Sequence, residues 1–84
     1  MNIYKFDGLW SSEYYAPESY DLDLSSASTI EEAKALIIKE FEKTDIGGYC
    51  DSVVFNVTEN GKFVFSGIID CGVEFSSSKK DTSY

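Results

Sequence analysis

Eighty-four residues are enough for one domain and no more, and fifteen Asp and Glu against seven Lys, with no Arg and no His, leave a net charge of −8. A chain without arginine lacks the side chain that grips phosphate in bidentate fashion, so direct nucleic-acid binding is not expected. The missing histidine rules out Ser-His-Asp and Cys-His catalysis, and two cysteines supply only half of a structural zinc shell.

Six Phe, six Tyr and one Trp supply the core of so small a domain, since each aromatic buries about 150–250 Å². The longest apolar runs, such as Ala35–Ile38, fall far short of the roughly 20 residues that span a bilayer, so no membrane segment is expected. The opening Met1-Asn2-Ile3-Tyr4-Lys5 has no charged-then-apolar export pattern, and a cytoplasmic protein is expected.

Residues 2–7 read as a strand, with Ile3, Tyr4 and Phe6 among its β-formers and Gly8 at its end. Residues 8–19 read as a loop or hairpin tip holding Trp10, Glu13, Tyr14, Tyr15, Pro17 and Glu18. A second strand is expected over about Ser19–Leu24, where Tyr20, Leu22 and Leu24 alternate with Asp21 and Asp23. The period of two places the leucines on a core and both carboxylates in water.

Ser28 with Glu31, or Thr29 with Glu32, has capping-box spacing, and Glu31 and Glu32 fall in the first helical turn, where the helix dipole favours negative charge. The helix is expected over Ile30–Lys43, with Ile30, Ala33, Ile37 and Phe41 on its buried face and Leu36 and Ile38 flanking them. Gly47 and Gly48 follow as stop signals.

Asn60-Gly61 between two β-rich runs predicts a hairpin with a two-residue type I′ turn. A regular ladder from that turn opposes Glu59 to Lys62, Val57 to Val64, Phe55 to Ser66 and Val53 to Ile68. Val53, Phe55, Val57, Val64 and Ile68 then share the helix-covered face, and Val54, Asn56, Thr58, Phe63, Phe65 and Ile69 lie on the other. The same register opposes Cys50 to Cys71, close enough for a disulfide, although a reducing cytoplasm favours two thiols. It also opposes Asp51 to Asp70, so that either the ladder frays or bulges there or a cation or a basic partner group bridges them. The segment around Val73–Phe75 continues the strand past a bulge or starts another.

These elements predict an α+β fold: an antiparallel sheet of four to five strands with one helix on one face, in the order ββαββ with a possible extra C-terminal strand. One domain is expected over residues 1–75, followed by a flexible polar tail over 76–84.

Function is expected to lie in binding rather than catalysis, with no cofactor and no metal. Carboxylate pairs can serve glycoside hydrolysis only inside a cleft, for which one helix on a sheet leaves little room. The acidity either serves solubility or engages a basic partner. Candidate contacts are the outward carboxylates Asp21, Asp23, Glu31 and Glu32, with Glu42, Asp45 and Asp51 beyond them. The aromatic group Trp10, Tyr14 and Tyr15 is either a lid over Phe63 and Phe65 or an exposed anchor set rimmed by Glu13 and Glu18.

The Asn2-Ile3-Tyr4 opening, the Tyr20-Asp21-Leu22-Asp23-Leu24 run, the helix entry over Ser28–Ala35 and the Asn60-Gly61 hairpin together resemble the small phage-encoded anti-CRISPR and other anti-defence proteins. The resemblance is one of architecture and spans most of residues 1–75, and it carries over no functional residue. It implies an inhibitor, in the host bacterial cytoplasm, that binds a CRISPR effector and blocks DNA entry or nuclease action. Thr29-Ile30-Glu31-Glu32-Ala33 after a strand is also similar to the HicB antitoxins, without a DNA-binding segment to follow. That likeness implies an antitoxin or immunity protein facing a basic toxin. A third possibility is a homodimeric assembly module joined through the Val54, Phe63 and Phe65 face.

Overall fold

A computed structural model describes residues 2–43 and 51–83. In chain order the described elements are β1 (Tyr4–Ser12), β2 (Glu18–Tyr20), α1 (Ile30–Lys43), β3 (Asp51–Glu59), β4 (Lys62–Ile69) and β5 (Val73–Ser76). The strands form one antiparallel sheet in the order β2-β1-β3-β4-β5. The α+β arrangement with one helix is as expected, and the fifth strand is present.

The helix begins as its capping residues dictate. Thr29 Oγ1 accepts the Glu32 N–H at 3.1 Å, so the second of the two capping alternatives is used. The Glu32 carboxylate reaches back one residue further than the usual box and accepts both the N–H and the hydroxyl of Ser28 at 2.8 Å. Ala33 and Ile37 are buried, while Ile30, Leu36 and Phe41 pack partly buried against the same core. Ile38 stays exposed.

Two glycines set the form of the sheet. Gly8, expected to end the first strand, lies inside β1 instead, which runs on to Ser12. A Cβ on Gly8 would meet the Phe6 ring at 2.6 Å and the Tyr20 carbonyl at 2.9 Å, so a side chain is excluded there by crowding rather than by a turn. Gly67 plays the same part on β4, where a Cβ would meet the Phe55 ring at 2.5 Å and also the Glu74 carbonyl. Phe55 is the cross-strand partner of both glycines and is fully buried. Its ring stacks on Phe6 at 4.9 Å and meets Phe75 edge-on at 6.3 Å. Phe6 meets Tyr20 and Phe75 meets Phe65 in the same edge-on manner, giving an aromatic row across the sheet.

The Asn60-Gly61 turn has the positive φ angles expected, 53° and 85°. Glu59 opposes Lys62 and Thr58 opposes Phe63, but beyond them the register shifts by one, so that Val57 pairs with Phe65 and Val53 with Ile69. The regular ladder is corrected here by a β-bulge at Val64. The extra residue reverses which β4 side chains face the helix. Phe65 and Ile69 enter the core beside Val57 and Val53, and Gly67 comes opposite Phe55. The expected Val54, Phe63 and Phe65 face is therefore not formed, because Phe65 is buried under α1.

The shift also separates Asp51 from Asp70. Asp51 pairs with Ser12 of β1, and its carboxylate accepts the Trp10 indole N–H at 3.0 Å. Cys71 is exposed beyond the end of β4, and Cys50 lies outside the described residues, as do Asp45, Gly47 and Gly48. The second expected strand is reduced to Glu18–Tyr20. Its alternation survives in burial, with Leu22 half-buried, Leu24 buried and both aspartates exposed. The chain leaves the β1 edge after Tyr20 because Leu24 and Ala27 are drawn into the core, where Ala27 N–H donates to the Leu24 carbonyl at 3.0 Å.

The polar C-terminal segment, expected to be a flexible tail, crosses the sheet face opposite the helix as an extended strap. Asp7, Asn56, Ser66 and Ser76 lie in one cross-strand row. Ser66 donates its hydroxyl to the Ser78 carbonyl. Asn56 donates to the Lys80 carbonyl and accepts the Lys80 N–H, both at 2.8 Å. Thr82 donates to Asp7 at 2.8 Å. Residues two apart in the strap meet successive strands, as an extended chain requires.

Gly67→Ala is expected to destabilise the protein by about 1–3 kcal/mol, the usual range for overpacking a core. Phe55→Ala is expected to cost about 3–5 kcal/mol. Urea unfolding of both variants measures this, and a Gly67→Ala protein as stable as the parent contradicts the packing described.

Candidate functional site

Residues 6–33 contain seven carboxylates, Asp7, Glu13, Glu18, Asp21, Asp23, Glu31 and Glu32, and no lysine. All seven are exposed, and none is in an ion pair; the pair found among the described residues is Lys43 with Glu40, at 3.9 Å. The fold spreads this acidic run along the β2 side of the molecule. Glu13 and Glu18 stand at the β1–β2 hairpin, Asp21 and Asp23 on the extended segment that returns beside β1, and Glu31 and Glu32 on the first turn of α1.

The returning segment leaves an open groove of about 530 Å³ between Asn2–Phe6 and Asp21–Ser25. Tyr4, Phe6 and Leu24 are its buried lining, while Ile3 on its rim is 58% exposed and Lys5 lines it beside Asp21 and Asp23. Ile3 exchanges backbone and side-chain hydrogen bonds with Asn60 on the β3 side. By strand alternation the peptide groups of Tyr4 and Phe6 therefore point toward the groove, where β2 no longer pairs.

Hydrogen bonds fix the charge of two of these acids. Bonds from Ser25, its hydroxyl first and its N–H next, hold the Asp23 carboxyl below its ordinary value. The Ser28 N–H and hydroxyl hold Glu32 below its ordinary value in the same way. Burial, reinforced by the hydrogen bond donated to Glu59 at 2.9 Å, pushes the Tyr4 hydroxyl above its ordinary value. Asp23 also lines a smaller cleft of about 290 Å³ with Lys39 and Lys43, so lysines border the acidic surface on its α1 side.

The aromatic group sits at the other end of β1. Trp10 is half-buried against the core, and Tyr15 lies beside it at 6.3 Å with the rings inclined by 32°. Tyr14 and Tyr15 are each 70% exposed, and Ser12 Oγ accepts the Tyr14 N–H at 3.1 Å. None of them lies over Phe63 and Phe65, so the lid reading is replaced by an exposed hairpin tip. Eight residues of β1 separate Ser12 from Tyr4, or roughly 26 Å of strand. Trp10, Glu13, Tyr14 and Tyr15 therefore form one group, and Asp21, Asp23, Glu31 and Glu32 a second group toward the opposite end.

The groove and the strap were not anticipated from sequence. The strap had a signal in the two-residue spacing of Ser78, Lys80 and Thr82, which matches a chain crossing strands. The groove had none, since it exists only because β2 ends early. Among the described residues no cluster of three or more Asp, Glu, Cys or His could hold a metal ion, and no helix is long and apolar enough to cross a membrane.

The Glu32 cap carries a pH dependence with a defined sign. Its folded value lies below the ordinary 4.5, so the stability it contributes is fully present above that value and is lost as pH falls through the folded one. The stability difference between the parent and Glu32→Gln is expected to be constant above about pH 5 and to shrink in more acidic solution. Thr29→Ala removes the other half of the cap and is expected to cost about 1 kcal/mol. Urea midpoints across the acid range check both.

No protein-family model matches this chain, and no curated protein or solved structure matches it.

Proposed function

We propose that this protein is a non-enzymatic inhibitor that binds a basic nucleic-acid-binding protein and occupies the surface that receives phosphates. The observation that carries this reading is the stretch of seven exposed carboxylates without an intervening cation and without an ion pair, six of them along the β2 side and Asp7 held by Thr82 of the strap. Carboxylates so placed sum their fields toward the solvent, attract a cationic groove over a Debye length of about 8 Å at physiological salt, and compete there with phosphates. Asp23 and Glu32, both held ionised by their hydrogen bonds, keep this charge down into the acid range.

The resemblance in architecture to anti-CRISPR proteins makes a CRISPR effector complex the first partner to test. An antitoxin or immunity role would use the same surface against a basic toxin. The dimeric-module reading has lost Phe65 from its interface, and the strap crosses the face it would use.

In a displacement assay, labelled target DNA bound to a purified CRISPR effector is expected to be released by the protein at low salt and retained at high salt. A quadruple variant, Asp21→Asn, Asp23→Asn, Glu31→Gln and Glu32→Gln, is expected to lose at least tenfold in potency, the effect of about 1.4 kcal/mol. Equal potency of parent and variant contradicts the proposed surface. Failure to displace DNA from any effector, with displacement from a basic nuclease toxin, moves the partner to the antitoxin class.

A further inference from the structure

We infer that the β1–β2 hairpin tip is a docking site for an arginine side chain of the partner, received on the Trp10–Tyr15 ring pair and held by Glu18 and Glu13. The inference rests on the reading of the chain as a binder of a basic protein and names the chemistry by which one part of it would recognise that partner.

On the helix-covered face Lys34 Nζ lies 5.3 Å from the ring centroids of both Phe65 and Phe75, whose rings are 5.5 Å apart. The fold thus sets an internal cation over one aromatic pair. The Trp10–Tyr15 pair has a similar spacing, 6.3 Å, but no lysine occurs between residues 6 and 33 to serve it. Among the described residues the cation set over aromatic rings is Lys34, and none lies over this pair, whose neighbouring carboxylates suit a cation supplied by a partner.

The Trp10 indole N–H donates to Asp51 at 3.0 Å, which fixes the orientation of a ring that is half-buried against the core and half accessible. Tyr15 is 70% exposed beside it. Glu18 is the direct cross-strand partner of Trp10, so its carboxylate arises on the same face of the hairpin about 5 Å away at Cβ. Glu13 stands in the same tip, and both glutamates are exposed and unpaired. A planar cation stacked on the ring pair with a carboxylate at its edge is the arrangement a guanidinium satisfies and a compact ammonium satisfies less well.

Trp10 is the chain's one tryptophan, so its fluorescence reports on this site alone. The test titrates the full-length protein with a hexa-arginine peptide at physiological salt, following Trp10 emission and, in parallel, heat by calorimetry. Emission is expected to change on binding. Tyr15→Ala and Glu18→Gln, both at exposed positions, are each expected to weaken binding about two- to fivefold with circular dichroism unchanged. Hexalysine is expected to bind more weakly than hexa-arginine. Calorimetric binding with no Trp10 response, and equal affinity in Tyr15→Ala, overturns the inference and leaves the acidic surface as the binding site. Absence of any binding to the parent protein overturns both readings.

Discussion

The ring of Phe55, seated between two glycines on neighbouring strands, is the constraint on which this structure depends. Its partners Gly8 and Gly67 cannot carry a side chain without striking Phe6, Phe55 itself or a strand carbonyl. The bulge at Val64 follows from this, because only the shifted register brings Gly67 opposite Phe55 and sends Phe65 and Ile69 beneath the helix. The aromatic row from Tyr20 to Phe65 follows too, since each ring packs on the one before it. A domain of this size has few apolar residues to bury, and it concentrates them in this row.

The same packing sorts the charges. Lysines fall on α1, at the β3–β4 turn, in the strap and at Lys5 near the start of β1, where it lines the groove, whereas the run from Phe6 to Ala33 has none. Because β2 pairs with only three residues of β1, the later part of this run turns outward at the sheet margin and exposes Glu13, Glu18, Asp21, Asp23, Glu31 and Glu32 there. Self-repulsion along such a margin opposes compactness. Bonds donated by Ser25 to Asp23 and by the Ser28 N–H and hydroxyl to Glu32 relieve it locally, and they stabilise the charge without cancelling it.

Most elements were legible because local chemistry determined them. Thr29 with Glu32 marked the helix start, its apolar spacing marked the buried face, and Asn60-Gly61 marked the turn with its positive φ angles. Gly8 misled because a glycine that ends a strand and one that makes room for a ring look alike in sequence. The bulge was hidden because Val64 and Phe65 are both good strand residues, and the choice between them is made by Phe55 across the ladder. At the candidate site the exposure of Asp21, Asp23, Glu31 and Glu32 was readable from periodicity. The separation of these acids from Trp10, Tyr14 and Tyr15 was not, since it depends on the path the chain takes after Tyr20.

On the proposed reading the acidic margin, rather than the strap-covered face, meets the partner. A backbone amide chemical-shift map of the labelled protein, recorded with and without a purified CRISPR effector, tests it directly. Shifts concentrated between Trp10 and Glu32, with Ser78–Thr82 unmoved, are the predicted result. Shifts concentrated in the strap and on β5, with the acidic margin silent, would contradict the account.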